Sequence, residues 1–378
     1  MMWMRWCSGA VVLLWLGCSL ARAAVAPAAP VAILVEAGSG EVLAADRPDE
    51  PVDAGNFGQL LVLLLALERA TLEGLPIDAP VSISPAATNE GPIRHSAGQV
   101  PLRSDRTYVL SDLMKATLVS GAETAAIGVA EAIAGSVPLC VEAINRRAEL
   151  LGMERSRFSG LGAVRLGAGD ADRASARDLA VLARALVAYP QVLAWSSLKG
   201  MPFDQGTVLL RNNNGMLGTV RGVDGLQVSA SNGRYGVIAT AQRQAMRLIV
   251  VVLGASDGDS SYRRAADLLE WGFGRYERVA MVSRGERVKV SVGIESGTLP
   301  SIVPVAAEPF SILRQVDQER RFQLRYQIPE ILMAPVREGD RVGELIIEEE
   351  GRVVAVIPLL SPTDVLPSSL LSIAAAEP

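Results

Sequence analysis

Residues 60–67 read Leu-Leu-Val-Leu-Leu-Leu-Ala-Leu, and this stretch decides the fold. Eight consecutive apolar residues are typical of a segment that is buried on all sides, either a central strand or a core helix. Leucine and alanine are good helix formers, and Glu68-Arg69-Ala70 continues a helical pattern. The stretch is too short to span a bilayer, which needs about 20 apolar residues. The sequence therefore predicts a central buried helix.

Predicted strands and helices surround this central helix. Strand-like residues 31–36 and 42–46 flank Gly38-Ser39-Gly40, an arrangement typical of a hairpin. Apolar spacing predicts further helices at residues 111–119, 122–134, 137–151, 175–188 and 261–273. Further strands are predicted at residues 208–210, 233–240 and 246–253. This part of the chain is therefore expected to combine one sheet with several helices.

The pattern changes after about residue 279. Short alternating segments, split by turn residues, occur at residues 288–292, 322–326 and 345–347. They predict a small all-β domain. The predicted organisation is a first domain, a C-terminal β domain and a short tail, at residues 30–276, 279–362 and 367–378.

The N-terminus predicts a secretory signal peptide at residues 1–23. Arg5 precedes an apolar stretch at residues 9–20, and Ala21-Arg22-Ala23 forms a small-x-small cleavage pattern. The alternatives are an uncleaved anchor and lipoprotein processing at Cys18. The tail carries no Lys or Arg between residues 367 and 376 and few large apolar residues, so no stable membrane anchor is expected there. The expected location is extracytoplasmic, in the periplasm.

Composition excludes several classes of function. The chain has 378 residues, of which 49% are hydrophobic and 20% charged, so wholesale disorder is excluded. A net charge of −5 and a pI of about 5.3 argue against a strongly basic nucleic-acid binder. His95 is the single histidine, which excludes a His-based metal cage. No phosphate loop or zinc spacing is present, and we expect neither a metal nor a cofactor.

Cys140 is the one cysteine that remains after the predicted cleavage, so an intrachain disulfide is excluded for the mature chain. It lies in an apolar helical pattern and is expected to be a buried small hydrophobe. The chain contains three lysines, which are Lys115, Lys199 and Lys289. Any mechanism that needs a lysine therefore has few positions to draw on.

Six short segments follow one another in a characteristic order. They are residues 32–43, 150–153, 175–179, 213–217, 223–226 and 247–254, including Leu-Leu-Gly-Met at 150–153 and Val-Asp-Gly-Leu at 223–226. Their order and residue patterns resemble those of the penicillin-binding D-alanyl-D-alanine carboxypeptidases, the serine peptidases that trim peptidoglycan stem peptides. The β domain is also similar to the one that follows the catalytic domain in this family.

The resemblance implies an α+β fold of the β-lactamase/transpeptidase type. A five-stranded antiparallel sheet flanked by helices is expected, with a mostly helical lobe at about residues 55–190. A separate small β-sandwich is expected to follow. Residues 30–276 would then form the carboxypeptidase-like domain.

The resemblance also implies three motifs, and all three are degenerate here. The family's Ser-x-x-Lys opens the buried helix, a Ser-x-Asn lies on a second segment, and a Lys-Thr-Gly lies on a strand. Asn56 and Gln59 stand where the serine and lysine of the first motif are expected. The second motif is Ser120-Gly121-Ala122, and the third is Gln227-Val228-Ser229.

These replacements remove the chemistry that the family uses. A carboxamide is a very poor nucleophile, and Gln59 cannot serve as a base. A backbone oxyanion pocket needs only N–H groups, so these replacements do not by themselves remove it. The sequence therefore predicts a non-catalytic homologue that binds a peptidoglycan stem peptide or a cell-wall enzyme. Ser120, Gln227 and Ser229 are the expected substrate-binding residues.

Two other functions stay open at this point. One is an active serine-type carboxypeptidase that uses unconventional residues, and the other is an interaction scaffold that works through the β domain. Ser196-Ser197-Leu198-Lys199 is a literal Ser-x-x-Lys, but it is expected in a connector and is interpreted as a coincidence. Ser120 and Lys115 are about 500° apart around a helix, so they should face different directions. His95 is expected in a solvated loop.

Overall fold

The structure is a computed structural model that describes residues 30–88, 100–162 and 172–368. The predicted signal peptide, Cys18 and His95 lie outside the described residues, as do residues 369–378 of the predicted tail. The predictions made for them therefore stay predictions.

A five-stranded antiparallel sheet lies at the centre of the first part of the chain, as the resemblance implied. Its strand order is β2-β1-β11-β10-β9. These strands are β1 (Val31–Glu36), β2 (Val42–Asp46), β9 (Val223–Ser231), β10 (Arg234–Arg243) and β11 (Met246–Ala255). The register places Val251 between Ile33 on β1 and Ile238 on β10. The predicted hairpin at the start of the chain is confirmed by the pairing of β1 with β2.

Short two-stranded ladders complete this part of the chain. They are β3 (Val52–Asp53) with β6 (Arg173–Ala174), β4 (Pro80–Ser82) with β5 (Thr107–Val109), and β7 (Gly200–Phe203) with β8 (Val208–Arg211). A single 3-10 turn covers Pro85–Ala87.

Helices cover both faces of the sheet. They are α1 (Gly58–Leu72), α2 (Leu110–Ser120), α3 (Glu123–Ala134), α4 (Val137–Leu150), α5 (Ala176–Val187), α6 (Pro190–Ser196) and α7 (Gly258–Arg275). The predicted central helix is confirmed as α1, where Leu60, Leu61 and Val62 are fully buried. It packs against α3, α4 and α5. The apolar run needed burial on all sides, and these neighbours provide it.

Alternate residues of the sheet belong to two different cores. Ile33 and Val251 belong to the core that contains α1, whereas Leu34 and Val250 belong to the core that contains α7. This division follows from the period of two along a strand, which points successive side chains to opposite faces. The near-continuous apolar composition of β1 and β11 is explained by burial on both sides.

The chain is rich in strands from Tyr276 onward. The strands are β12 (Tyr276–Val282), β13 (Val292–Glu295), β14 (Ser301–Ile302), β15 (Val305–Ala306), β16 (Phe310–Gln315), β17 (Phe322–Gln327), β18 (Ile331–Met333), β19 (Arg341–Glu349) and β20 (Arg352–Leu360). They form sheets in the orders β15-β20-β19-β17, β14-β13-β18 and β12-β16. Val292, Ile347 and Leu359 are at the centre of a third core. The α+β fold class is therefore confirmed.

Two local predictions were wrong. Residues 288–292 alternate like a strand, but the ladder begins only at Val292, although the alternation does bury Val288. The supposed connector at Ser196 contains α6, which ends at Ser196. Pro190 at the first position of α6 suits a helix start, because its missing N–H would be unpaired there anyway.

No single helix within residues 30–88, 100–162 and 172–368 is long and apolar enough to cross a membrane. Two bent pairs reach the necessary length and composition only when joined, α3 with α4 at 83° and α5 with α6 at 105°. Residues of all four helices belong to the core around α1.

Candidate functional site

A tight turn places Asn56 just before the start of α1. The Asp53 carboxylate accepts a hydrogen bond of 2.8 Å from the Gly55 N–H, and Gly55 has a φ of +54°. A Cβ on Gly55 would lie 2.0 Å from the Ser229 hydroxyl oxygen, so only glycine fits there. The turn brings the Asn56 N–H to 3.1 Å from Ser229 Oγ, which accepts its hydrogen bond. The first and third degenerate motifs are therefore in direct contact.

Gln59 and Gln227 form a second contact between the same motifs. Both side chains are fully buried. Gln227 Nε2 donates to Gln59 Oε1 at 3.4 Å and to the Thr117 carbonyl at 3.3 Å, and Gln59 Nε2 donates to the Leu161 carbonyl at 3.3 Å. Because a backbone carbonyl can only accept a hydrogen bond, the Gln227 atom that contacts the Thr117 carbonyl must be the nitrogen Nε2, and the other atom is Oε1. Uncharged amides therefore connect α1, α2 and β9.

Ser120 lies at the end of α2, and its hydroxyl faces its own helix. Ser120 Oγ donates to the Ala116 carbonyl at 2.8 Å. Such a bond to the preceding turn is common for serine in helices. Ala122 is fully buried and carries no polar side-chain atom. The second motif thus supplies a hydroxyl that already donates a hydrogen bond to its own helix. It supplies no side-chain amide, because Ala122 replaces the expected asparagine.

Asn213 is a site residue that the sequence analysis missed. Asn213 Nδ2 donates to the Ser120 carbonyl at 3.1 Å. A Cβ built on Gly121 would lie 3.0 Å from Asn56 Nδ2, 3.1 Å from Asn213 Nδ2 and 4.0 Å from Gln227 Nε2. Residues 213–217 were used only as one of the segments that carry the family resemblance, and the three asparagines at residues 212–214 lie in a loop. Their amide-rich composition was the available signal. Asn56, Gln59, Asn213 and Gln227 are called the amide cluster below.

Two oxygens of the amide cluster have no hydrogen-bond partner among the described residues. They are Asn56 Oδ1 and Gln227 Oε1, and both atoms are buried. A buried acceptor without a partner costs about 1–3 kcal/mol. The structure therefore leaves two solvent-inaccessible acceptors of the amide cluster unsatisfied.

The oxyanion pocket expected from the sequence differs in the structure. In serine peptidases the backbone N–H of the nucleophile is one of the donors to the oxyanion. Asn56 is at that position, and its N–H already donates to Ser229 Oγ. Glycine is expected at position 229 in the family motif and would leave this donor free. The Ser229 side chain is thus the physical reason why the Asn56 N–H is not a free oxyanion donor.

None of the three lysines lies in the described contacts of the amide cluster. Lys115 Nζ forms an ion pair of 2.9 Å with Asp112 and lies 5.9 Å from the centre of the Trp195 ring. Lys199 Nζ would lie 2.9 Å from a Cβ on Gly218, and Lys289 lies in the strand-rich part of the chain. Lys115 and the Ser120 hydroxyl bond to different partners, Asp112 and the Ala116 carbonyl, in agreement with their helical spacing.

The other nucleophile candidates are equally unsuited. Ser196 is fully buried and donates to the Asp224 carbonyl at 2.8 Å. Cys140 is fully buried in α4, as expected, and burial raises the pKa of its thiol to about 12. Within the described ranges, no group of three or more His, Cys, Asp or Glu side chains is placed to hold a metal ion.

Comparison with known families matches almost the whole chain. Residues 20–257 match a family described as D-alanyl-D-alanine carboxypeptidase. Residues 276–366 match a family described as penicillin-binding protein 5, C-terminal domain.

Individual relatives are distant. The chain is 23% identical over 338 residues to the D-alanyl-D-alanine carboxypeptidase DacF of Bacillus subtilis, covering 88% of this chain and 85% of that protein. It is 26% identical over 336 residues to the D-alanyl-D-alanine carboxypeptidase DacC of Escherichia coli, covering 87% and 82%.

A solved structure shares the fold. The peptidoglycan synthesis regulatory factor PBP3 of Streptococcus pneumoniae superposes with a TM-score of 0.74 at 23% identity. The match covers 89% of this chain and 99% of that one. At this identity the likeness shows a common fold across both the helical and the strand-rich parts.

Proposed function

This chain belongs to the D-alanyl-D-alanine carboxypeptidase family, and we propose that it is a member that binds a peptidoglycan stem peptide without cleaving it. The observation that supports the proposal is the amide cluster, in which Asn56, Gln59 and Gln227 are expected to stand where the family has its nucleophile and lysines. Amides complement the N–H and C=O groups of a peptide. They do not supply an ionisable group near neutral pH.

The absence of turnover follows from the residues at these positions. Acyl transfer needs a nucleophilic oxygen and a base to take its proton. Removing a serine nucleophile alone costs on the order of 10⁶-fold in turnover in the subtilisin example. Here the Ser120 hydroxyl is bonded to Ala116, and all three lysines lie elsewhere. Ser120 and Ser196 donate to backbone carbonyls and have no lysine among their described contacts, which weighs against an active enzyme with unconventional residues.

The location belongs to the same proposal. Residues 1–23 combine a positive charge, an apolar stretch and a small-x-small end, which favours export. The proposed ligand is outside the cytoplasm, so an exported protein would meet it. We name a peptide rather than a cell-wall enzyme because the amide cluster complements peptide bonds.

A second candidate is a scaffold that works through the strand-rich region. The observation in its favour is a group of exposed valines on β20, Val353, Val354 and Val356, of which Val353 is 55% exposed. Exposed apolar groups that are adjacent mark interaction surfaces. Replacing all three with threonine should leave stem-peptide binding unchanged if the amide cluster is the binding site.

Two measurements test the proposed function. The purified protein is incubated with a fluorescent penicillin beside an active family member, and intact mass is recorded. We expect no covalent adduct and no release of D-alanine from a pentapeptide. Sedimentation with purified peptidoglycan should carry the protein into the pellet. A stoichiometric penicillin adduct would show that the protein is catalytically competent, and failure to sediment would remove the binding function.

A further inference from the structure

A cleft of about 500 Å³ lies where the first part of the chain meets the strand-rich part. It is formed by the loop before β9, the turn between β10 and β11, the end of α7 and the start of β12. Arg221, Gln244 and Val316 line it and are exposed, so the cleft is open to solvent. Cavities that hold small ligands have volumes of about 300–1,000 Å³ and often lie between domains. The described residues that line the cleft include none of the amide cluster.

Three of the four charged side chains in the described lining of the cleft have an ion-pair partner. The pairs are Arg243 with Glu270, Arg278 with Glu36 at 2.9 Å and Glu277 with Arg314 at 2.7 Å. Arg221 is the fourth, and it forms no ion pair within the described ranges. Hydrogen bonds from Arg243 contribute most to lowering the pKa of Glu270, and the charge of Arg221 lowers this pKa further. Two arginines therefore share one carboxylate, which leaves one positive charge uncompensated.

The backbone of Arg221 is held against β10. Its carbonyl accepts hydrogen bonds from Arg243 Nε at 3.2 Å and from Arg243 Nη2 at 3.0 Å. The next carbonyl, that of Gly222, accepts from the Gln242 N–H at 2.9 Å. Gly222 has a φ of +83°, and a Cβ there would lie 2.5 Å from the Gln242 carbonyl oxygen, so only glycine fits. The uncompensated guanidinium is therefore attached to a fixed point of the cleft, which lowers the entropic cost of binding a ligand.

Apolar side chains also line the cleft, among them Phe273, Tyr276 and Val316. The guanidinium carbon of Arg243 lies 4.4 Å from the centre of the Phe273 ring, which places this ring beside the charged part of the lining. Val316 is 56% exposed, and covering it with an apolar group of a ligand would stabilise the complex. A complementary ligand therefore joins an anionic group to an apolar one.

The count of charges favours a carboxylate over a phosphate as the anionic group. One guanidinium compensates one negative charge, and its planar fork matches the two oxygens of a carboxylate. A phosphate monoester carries about 1.5–2 negative charges at pH 7, and the described lining has no further uncompensated cation for the excess. The exposed side-chain amide of Gln244 has no hydrogen-bond partner among the described residues, and it complements the N–H and C=O groups of a peptide.

We propose that this cleft binds a short peptide in which an acidic residue adjoins an apolar one, with the carboxylate on Arg221 and the apolar side chain against Phe273 and Val316. Both the first part of the chain and the strand-rich part contribute to the lining, so one ligand would contact both. The site is separate from the amide cluster. It therefore goes beyond the proposed function and can be refuted without it.

The test uses three N-acetylated, C-terminally amidated dipeptides that share a phenylalanine and differ in the second residue, which is glutamate, glutamine or phosphoserine. Each is titrated into the full mature protein by calorimetry at neutral pH and low salt. The glutamate peptide should bind at least about fivefold more tightly than the glutamine peptide, as expected for an ion pair that is partly open to solvent. It should also bind more tightly than the phosphoserine peptide. Equal binding of the glutamate and glutamine peptides, tighter binding of the phosphoserine peptide, or no binding of the glutamate peptide would each overturn the proposal and leave the sedimentation test unaffected.

Two matched substitutions locate the binding. Arg221→Gln removes the uncompensated charge and should abolish the preference for the glutamate peptide. Arg284→Gln removes the same charge from an exposed position outside the cleft and should leave the preference unchanged. Loss of the preference in both variants, or in neither, would show that it does not depend on this cleft. The three peptides on the unmodified protein decide the proposal even if Arg221→Gln does not fold.

Discussion

Asn56 differs from a serine in more than its lack of a nucleophilic oxygen. Its backbone N–H is held by Ser229, and its side-chain amide lies beside Gly121. Acylation therefore needs at least three separate changes, which are a nucleophile, a base and a free oxyanion donor. Each has a different effect on acylation, so they can be tested in steps.

Stepwise substitution should recover acylation in a fixed order. Asn56→Ser alone should form no penicillin adduct, because an unassisted hydroxyl stays protonated. Adding Gln59→Lys supplies a base, a contribution of about 10²–10⁴-fold, and should allow slow acylation. Adding Ser229→Gly frees the residue-56 N–H and should increase the rate by a further 10²-fold or so. Intact mass against time measures each rate.

Two outcomes would contradict this order. An adduct in the Asn56→Ser variant without Gln59→Lys would mean that another group acts as the base. A triple variant no faster than the double variant would mean that the Ser229 contact does not limit the oxyanion pocket. Ser197→Gly, a change at an exposed serine outside the cluster, is the control and should alter none of the rates.

Cys140 should be unreactive in the folded protein. Its thiol is fully buried and has a pKa of about 12, so almost no thiolate forms near pH 8. Iodoacetamide should leave Cys140 unmodified in buffer and alkylate it fully in concentrated urea. Peptide mapping by mass spectrometry identifies the residue. Rapid alkylation in buffer would mean that α4 opens readily.

At the scale of elements, Gln227 links three of them, which are α1, α2 and β9. Its amide joins Gln59 on α1 to the Thr117 carbonyl on α2 from its own position on β9. Gln227→Ala leaves buried groups of both partners unsatisfied and should lower the free energy of unfolding by about 1–3 kcal/mol. Urea unfolding measures the change, and Gln323→Ala at an exposed position is the control. A loss no greater than in the control would mean that water replaces the amide fully.

The elements were predictable from the sequence where a local pattern contained the cause. The apolar run at residues 60–67 predicts α1 because such a run needs burial on all sides. Ser229 and Asn56 are 173 residues apart, and Asn213 and Ser120 are 93 apart. Local periodicity contains nothing about such contacts. The motif positions could be identified through the family resemblance. The hydrogen bonds that occupy the Asn56 N–H and the Ser120 hydroxyl could be found only from the three-dimensional structure.

At the scale of the whole molecule, Glu36 joins the first part of the chain to the strand-rich part. It is 1% exposed at the end of β1 and forms an ion pair of 2.9 Å with Arg278 on β12. The Ser39 N–H and hydroxyl donate to its carboxylate at 2.6 and 2.8 Å. Burial by itself would raise the Glu36 pKa, but hydrogen bonds from Ser39 and Gly38 and the charge of Arg278 hold it below the ordinary value of 4.5.

The lowered pKa of Glu36 makes its contribution to stability depend on pH. The ionised carboxylate stabilises the fold above pH 4.5, and this stabilisation is lost as the pH falls through the lower pKa of the folded state. Glu36→Gln should therefore cost about 1–3 kcal/mol at neutral pH and progressively less below pH 4.5. Urea unfolding across this range measures the difference. A difference that stays constant, or one matched by the exposed Glu330→Gln, would contradict this role.

The hydrogen bond from the Asn56 N–H to Ser229 Oγ would compete with the proposed peptide ligand for the same donor. A ligand carbonyl that accepts a hydrogen bond from the Asn56 N–H must first displace the Ser229 hydroxyl. This contact therefore adds only the difference in free energy between two similar hydrogen bonds. The competition limits how much this contact can contribute to ligand affinity. If the proposed function holds, this competition would make binding weak and rapidly reversible, which would suit a polymeric ligand with many equivalent sites.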